Sequence, residues 1–231
     1  MRSKFNSVAL TLLALLSLCV ACSKPPGEGG GGTNGAPGTA GGGSTAGGGG
    51  AAAVAPNDNP QEVLTKSMQA HLSAKSLRAR MTNTSSQGTY TATLEYASPD
   101  RYRIISPQGE MIAIGGDAYM KAGGRWMKAP VNVGQIINQF RDPKAVEEMR
   151  RTANVKYVGT ETLDGQPMYV YEYALDEAAG TGAKGRAKTW ISPADMLPRK
   201  TEVDGEAGGI KSHTTITYSD YNSDIKIEPP R

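Results

Sequence analysis

From residue 77 onward the chain is written in short segments of period two, each closed by a turn signal. This pattern constrains the fold more than any other feature. Residues 77–81 alternate apolar and polar, and 89–96 set Tyr90, Ala92, Leu94 and Tyr96 on one face. Ser85, Ser86, Gln87 and Gly88 join these two segments as a hairpin. Segments 101–105, 110–114 and 118–121 follow, divided by Pro107, Gln108, Gly109 and by Gly115, Gly116, Asp117. After a break the pattern resumes at 156–163, turns at Asp164, Gly165 and Gln166, and continues at 168–175. Further segments are 187–192, 198–203, 212–218 and 225–227. Gaps this short allow only antiparallel neighbours, because a parallel crossover needs a dozen or more residues. The expectation is about ten or eleven strands in sequential antiparallel order.

Helical spacing occurs in two places. Asn59 and Pro60 open a helix as N-cap and first residue, and Val63, Leu64, Met68, His71 and Leu72 form one apolar stripe ending near Lys75. Residues 133–140 and 144–151 carry the same period, with Asp142 and Pro143 starting the second run. The fold class is therefore α+β: a long antiparallel sheet, strongly twisted on itself, with a helix against its concave face.

Only part of the chain can join this fold. Residues 1–22 read as a secretory leader, with Arg2 and Lys4 before an apolar run of residues 8–18. That run is too short to span a membrane, which takes about 20 residues. Residues 23–56 form a linker whose core, 27–55, is almost entirely Gly and Ala with scattered Thr and Ser. Such a sequence cannot bury enough apolar surface to offset the entropy of ordering. It is a spacer spanning roughly 30 Å on average. Residues 57–231 remain as one domain.

Cysteine usage sharpens the leader. The two cysteines, Cys19 and Cys22, both lie at the end of the apolar run. The domain has no disulfide, no cysteine zinc site and no thiol nucleophile. The stretch Leu18, Cys19, Val20, Ala21, Cys22, Ser23 resembles the bacterial lipobox, though Cys19 stands where that motif has Leu. The resemblance implies cleavage before Cys22 and lipidation of its thiol. The membrane is then a partner through several acyl chains, since one chain alone binds only marginally. Ser23, in place of an Asp, points to the outer membrane, with the domain facing the periplasm. A plain cleaved signal is the alternative.

The chemistry-bearing residues are few. The chain has two histidines: His71 belongs to the helical stripe, and His213 lies in a strand of Thr and Ser. No HExxH, GxSxG or metal-ligand spacing is present, so neither an enzyme nor a metal or other cofactor is expected. Glu147 and Glu148 read as a solvated helix face, and Asp220 with Asn222 as turn residues bonding to nearby backbone. Trp126 and Trp190 read as packing residues. The formal net charge is +3, and losing Arg2 and Lys4 with the leader brings it to about +1, which argues against nucleic acid as a partner.

Three stretches carry a family resemblance. Ile114, Gly115, Gly116, Asp117, Ala118 and Tyr119 run towards Gly124, Arg125, Trp126, Met127 and Lys128. Residues 158–165 (VGTETLDG) lead to Tyr169, Val170, Tyr171 and Glu172. Trp190, Ile191 and Ser192 precede Leu197, Pro198, Arg199 and Lys200, and residues 218–222 close the chain. Together they resemble the half-barrel lipoproteins related to the carriers LolA and LolB and to the mycobacterial LppX type. The resemblance implies an incomplete antiparallel barrel closed by helices around an apolar cavity for acyl chains. Tyr90, Leu94, Tyr96, Ile104, Ile112 and Ile114 are the candidate lining. Val133, Ile136, Ile137 and Phe140 are the candidate lid. Each side chain could equally fill an ordinary core, because a cavity is a collective property of a curved sheet.

Two roles follow. One is a membrane-anchored envelope lipoprotein that binds a lipid or the acyl chains of another lipoprotein, for transport or sorting. The other is a structural lipoprotein that docks an envelope protein partner through the same sheet, with a filled core.

Overall fold

The computed structural model describes residues 59–129, 147, 153–175 and 184–230. Helix α1 spans Pro60–Ser73, and eleven strands follow. They are β1 (Ser76–Ser85), β2 (Gly88–Ala97), β3 (Arg101–Ser106), β4 (Gly109–Ile114), β5 (Asp117–Ala122) and β6 (Arg125–Lys128). After a long connection come β7 (Val155–Leu163), β8 (Gln166–Leu175), β9 (Lys184–Ile191), β10 (Pro198–Ala207) and β11 (Ile210–Ser219). All belong to one antiparallel sheet in the order β6-β5-β4-β3-β2-β1-β11-β10-β9-β8-β7. The sheet does not close: β6 and β7 are its edges, and the architecture is a half-barrel. The first and last strands of the sequence pair at its middle, where β1 meets β11.

Local chemistry explains most elements. The Asn59 carbonyl accepts the first helical bonds, from the N–H of Glu62 at 2.8 Å and of Val63 at 3.2 Å. Its side chain, expected to cap the helix, makes no capping bond. Pro60 occupies the first turn, where its missing N–H is harmless. The helix stops at Ser73 because Ala74 turns to extended backbone (φ −62°, ψ 134°). At the β7–β8 hairpin, Asp164 (φ 52°) and Gly165 (φ 78°) take the two left-handed positions of a type I′ turn, whose twist matches the flanking strands. Gly159 (φ 145°) sits at the one irregularity of β7, between Tyr157 and its own pairing with Val170. An extra residue there bends an edge strand and blunts it against further pairing.

Two strand expectations change. Residues 125–128 form β6, a strand too short to show alternation clearly. Residues 225–227 are not a strand; they cross the sheet as an extended tail. Ile225 and Ile227 pack on Ala97, Ile112, Ile114 and Trp126, so the tail's apolar spacing serves packing without a ladder. Arg101 Nη1 holds the tail by donating to the Ile227 carbonyl at 2.7 Å. Asp220 and Asn222 (φ 55° and 57°) shape the chain before it. Their side chains reach far in sequence: Asn222 Oδ1 accepts the Lys75 N–H at 2.8 Å, and Asp220 pairs with Arg78.

The helical readings at 133–140 and 144–151 lie outside the described residues, apart from exposed Glu147. So do Cys22, the leader and the linker. Among the described residues no helix is long and apolar enough to cross a membrane.

Candidate functional site: the inner face of the half-barrel

The pairing register defines the inner face, the one on which α1 lies. Opposite residues in an antiparallel ladder point to the same side. Leu77 faces Tyr96, Tyr96 faces Tyr102, and Tyr102 faces Ala113. Across the middle, Ala79 faces Tyr218, and further along Thr201 faces Thr189 and Thr189 faces Tyr171. The inner face thus falls into two halves with different contents.

The half built from β7 to β10 is covered by α1. Val63 and Leu64 bury against Tyr171 and Ile191, all at most 3% exposed. Met68, Val155, Tyr157, Tyr169, Tyr173 and Met196 pack around them. The tyrosines interlock: Tyr157 meets Tyr169 edge-on at 6.3 Å and lies tilted to Tyr171 at 5.4 Å. The helix end is pinned by His71, whose Nδ1 lies 2.9 Å from the Tyr221 hydroxyl. That hydroxyl donates to the Pro198 carbonyl at 3.0 Å, so Nδ1 supplies the proton of the His71 bond. The His71 ring also packs edge-on against Tyr218 at 5.2 Å. The stripe reading of His71 as a half-buried packing residue agrees with this placement.

The half built from β1 to β6 likewise mixes buried and half-buried residues. Leu77, Ala79, Tyr96, Tyr102, Ala113 and Ala118 are buried in it. Leu94, Ile104 and Met111 are only half-buried, as are Met81, Tyr90, Ala92 and Met120. Met127, on the edge strand, is 52% exposed.

Of the six predicted lining residues, Tyr90, Leu94, Tyr96 and Ile104 share this inner face. Tyr96 is buried against Tyr102, with ring centroids 5.2 Å apart. Ile112 and Ile114 are a correction. They point to the outer face, beneath the tail residues Ile225 and Ile227. Apolar residues stand on both faces of β4, so alternation alone cannot choose between Met111 with Ala113 and Ile112 with Ile114. The β3–β4 turn decides. Ser106 pairs with Gly109, leaving a two-residue loop, Pro107 and Gln108. A three-residue loop would flip β4 by one position and reverse its faces. The inner-face methionines were missed for this reason; counting the turn as two residues would have found Met111. The lid candidates Val133, Ile136, Ile137 and Phe140 lie outside the described residues.

The outer face carries ion pairs beside two apolar clusters. Arg78 bonds Glu95 at 2.9 Å, and Arg103 bonds Glu110 at 2.6 Å. Trp126 and Trp190 both sit within strands on this face. Trp190 is buried between the ammonium groups of Lys188 and Lys200, 4.6 and 4.5 Å from its ring centre. Its indole N–H donates to Glu161 at 2.8 Å, as does Lys188. The Lys188 bond, then the indole bond, holds the Glu161 carboxyl below the ordinary carboxylate range. Exposed His213 bonds Asp204 at 2.7 Å and lies 3.3 Å from the Thr215 hydroxyl. This connectivity imitates a hydrolytic triad, but Asp204 is 77% exposed, so water competes for each bond.

Solved structures match over most of the chain, LppX and LprF among them. The lipoprotein LppX of Mycobacterium tuberculosis superposes with a TM-score of 0.58 at 14% identity, covering 74% of this chain and 100% of its own. LprF of Mycobacterium bovis gives 0.53 at 14% identity, covering 74% and 96%. The fold is that of LppX and LprF. The expected half-barrel is therefore present, with α1 as the one helix among the described elements. No protein-family model and no curated protein sequence matches the chain.

Proposed function

We propose that this chain is an exported envelope lipoprotein that binds the acyl chains of a lipid, or of another lipoprotein, on the inner face of its half-barrel. The carrying observation is the half-buried apolar surface of β1 to β6: Leu94, Ile104 and Met111 lie beside a buried core without being sealed into it. The LppX-like fold supports this reading at the level of architecture.

The role proposed is binding, not catalysis. His71 is committed to Tyr221, and the solvated His213 pairs with Asp204. The leader, cleavage before Cys22, its lipidation and the outer-membrane address belong to the same proposal, with residues 23–56 as the tether. Metabolic labelling with an alkyne palmitate is expected to mark the wild-type chain and not C22S. Native mass spectrometry of C22S is expected to show co-purified lipid or uptake of a fluorescent fatty acid. A protein that arrives empty and takes up none refutes the acyl-binding role.

A further inference from the structure

Three methionines stand directly opposite one another on neighbouring strands: Met111 faces Met120, and Met120 faces Met127. The same cross-strand line continues through Ile104, Leu94 and Ala79 to Tyr218. Strand interiors favour β-branched and aromatic residues, so backbone preference does not explain a run of methionine. The line has a gradient of exposure. Met127 is 52% exposed at the free edge, Met120, Met111, Ile104 and Leu94 are half-buried, and Ala79 is 7% exposed. It ends against Tyr218, whose ring meets His71 of α1. From β6 to β1 are five strand spacings, about 24 Å, the reach of a long fatty acyl chain.

The flanks of the line differ. Buried Tyr96, Tyr102, Ala113 and Ala118 occupy one side. On the other, strand alternation places the small residues Ala92, Ser106 and Gly109 on the same face. At the open end Arg125 shares the face of Met127, two residues away on β6. It is exposed and forms no ion pair among the described residues. A guanidinium there suits a carboxylate or phosphate, which it can bind in bidentate fashion.

We infer that this line is the seat of one anionic amphiphile. Its acyl chain lies across the strands from Met127 towards Ala79, and its carboxylate or phosphate head stays at Arg125 on the open edge. Unbranched thioether side chains adapt their shape, so the seat accepts chains of differing length and unsaturation. The inference rests on the acyl-binding reading and adds its location, orientation and head-group charge.

The test uses the 231-residue chain carrying C22S, which has no acyl group of its own. Displacement of 11-(dansylamino)undecanoate is measured with palmitate, palmitoyl lysophosphatidate and neutral hexadecanol. M120Q is expected to weaken all three about tenfold. R125E is expected to weaken palmitate and lysophosphatidate about threefold, within the range of an exposed ion pair, and to leave hexadecanol unchanged. The two anionic competitors distinguish a fatty acid from a phospholipid as the source of the head group. Peroxide footprinting of the unmutated seat avoids any folding defect: palmitate should slow oxidation of Met120 and Met127 about fivefold and leave Met196 unaffected. Uptake of the dansyl probe without that protection places the seat elsewhere and overturns the inference alone. Protection by silver(I) but not palmitate overturns it in favour of a soft-metal thioether site. Absence of any probe uptake overturns the acyl-binding reading itself.

Discussion

The two halves of the inner face are built from the same kind of strand but end in different states. Under α1, Tyr171 and Ile191 are completely buried, and the tyrosines of β7 and β8 lock edge to face. On β1 to β6, Leu77, Tyr102, Ala113 and Ala118 are buried as deeply, but no residue of α1 belongs to their cluster, and Met127 is open at the edge. Among the described elements, what separates them is α1. Val63 and Leu64 supply the missing wall on one side, and α1 reaches no further than the Tyr218–Tyr221 boundary where His71 pins it. Among the described elements the single long helix thus packs one half of the inner face and not the other. Burial provides stability where the helix lies, and the proposed acyl ligand would lie where it does not.

The sharpest way to break this comparison is in the covered half. Tyr171→Ala empties a fully buried site between α1 and β9, and should cost about 3–5 kcal/mol, the range for large aromatic truncations. Urea unfolding followed by circular dichroism reads it, and a loss under about 1 kcal/mol would mean the halves are not packed differently. Leucine at Met111 and Met120 sharpens the contrast. These half-buried sites should lose less than about 1.5 kcal/mol in the double variant while still altering acyl affinity, because shape-conserving apolar swaps are well tolerated. Equal losses from the two experiments would abolish the distinction.

The smallest effect concerns the outer face of the covered half. Glu161 has its carboxyl held low by Lys188 and Trp190, so its contribution is complete above the pKa of the unfolded chain. It is lost as pH falls through that value, about 4.3, towards the lower folded pKa. Glu161 is 45% exposed, so screening keeps the effect below about 1 kcal/mol. E161Q should therefore be less stable than wild type at pH 7, with the gap closing as pH falls below about 4.3 in parallel urea melts. A gap that stays constant with pH would remove the electrostatic account of this cluster.

Much of the architecture could be read along the chain. The hairpins announce themselves, as at Asp164 and Gly165, and alternation in 89–96 sets Tyr90, Ala92, Leu94 and Tyr96 on one face as observed. Reading failed where local signals tie. In β4 both faces are apolar, so Ile112 and Ile114 were assigned inward when the tail of Ile225 and Ile227 covers them from outside. That contact joins segments more than a hundred residues apart and leaves no local signature. Residues 225–227 mislead for the same reason: apolar spacing looks alike whether it serves a ladder or a strap.

By itself the sequence determined that this domain is a sequential antiparallel sheet preceded by a helix, with no cysteine to form a disulfide. Period-two patterning and turn chemistry are local properties, expressed within a few residues. Tertiary structure alone decided that β1 and β11 meet at the centre, which face of β4 looks inward, and how far α1 extends over the sheet. Those outcomes depend on which distant surfaces bury each other best, and burial is a property of the assembled sheet, not of any one strand.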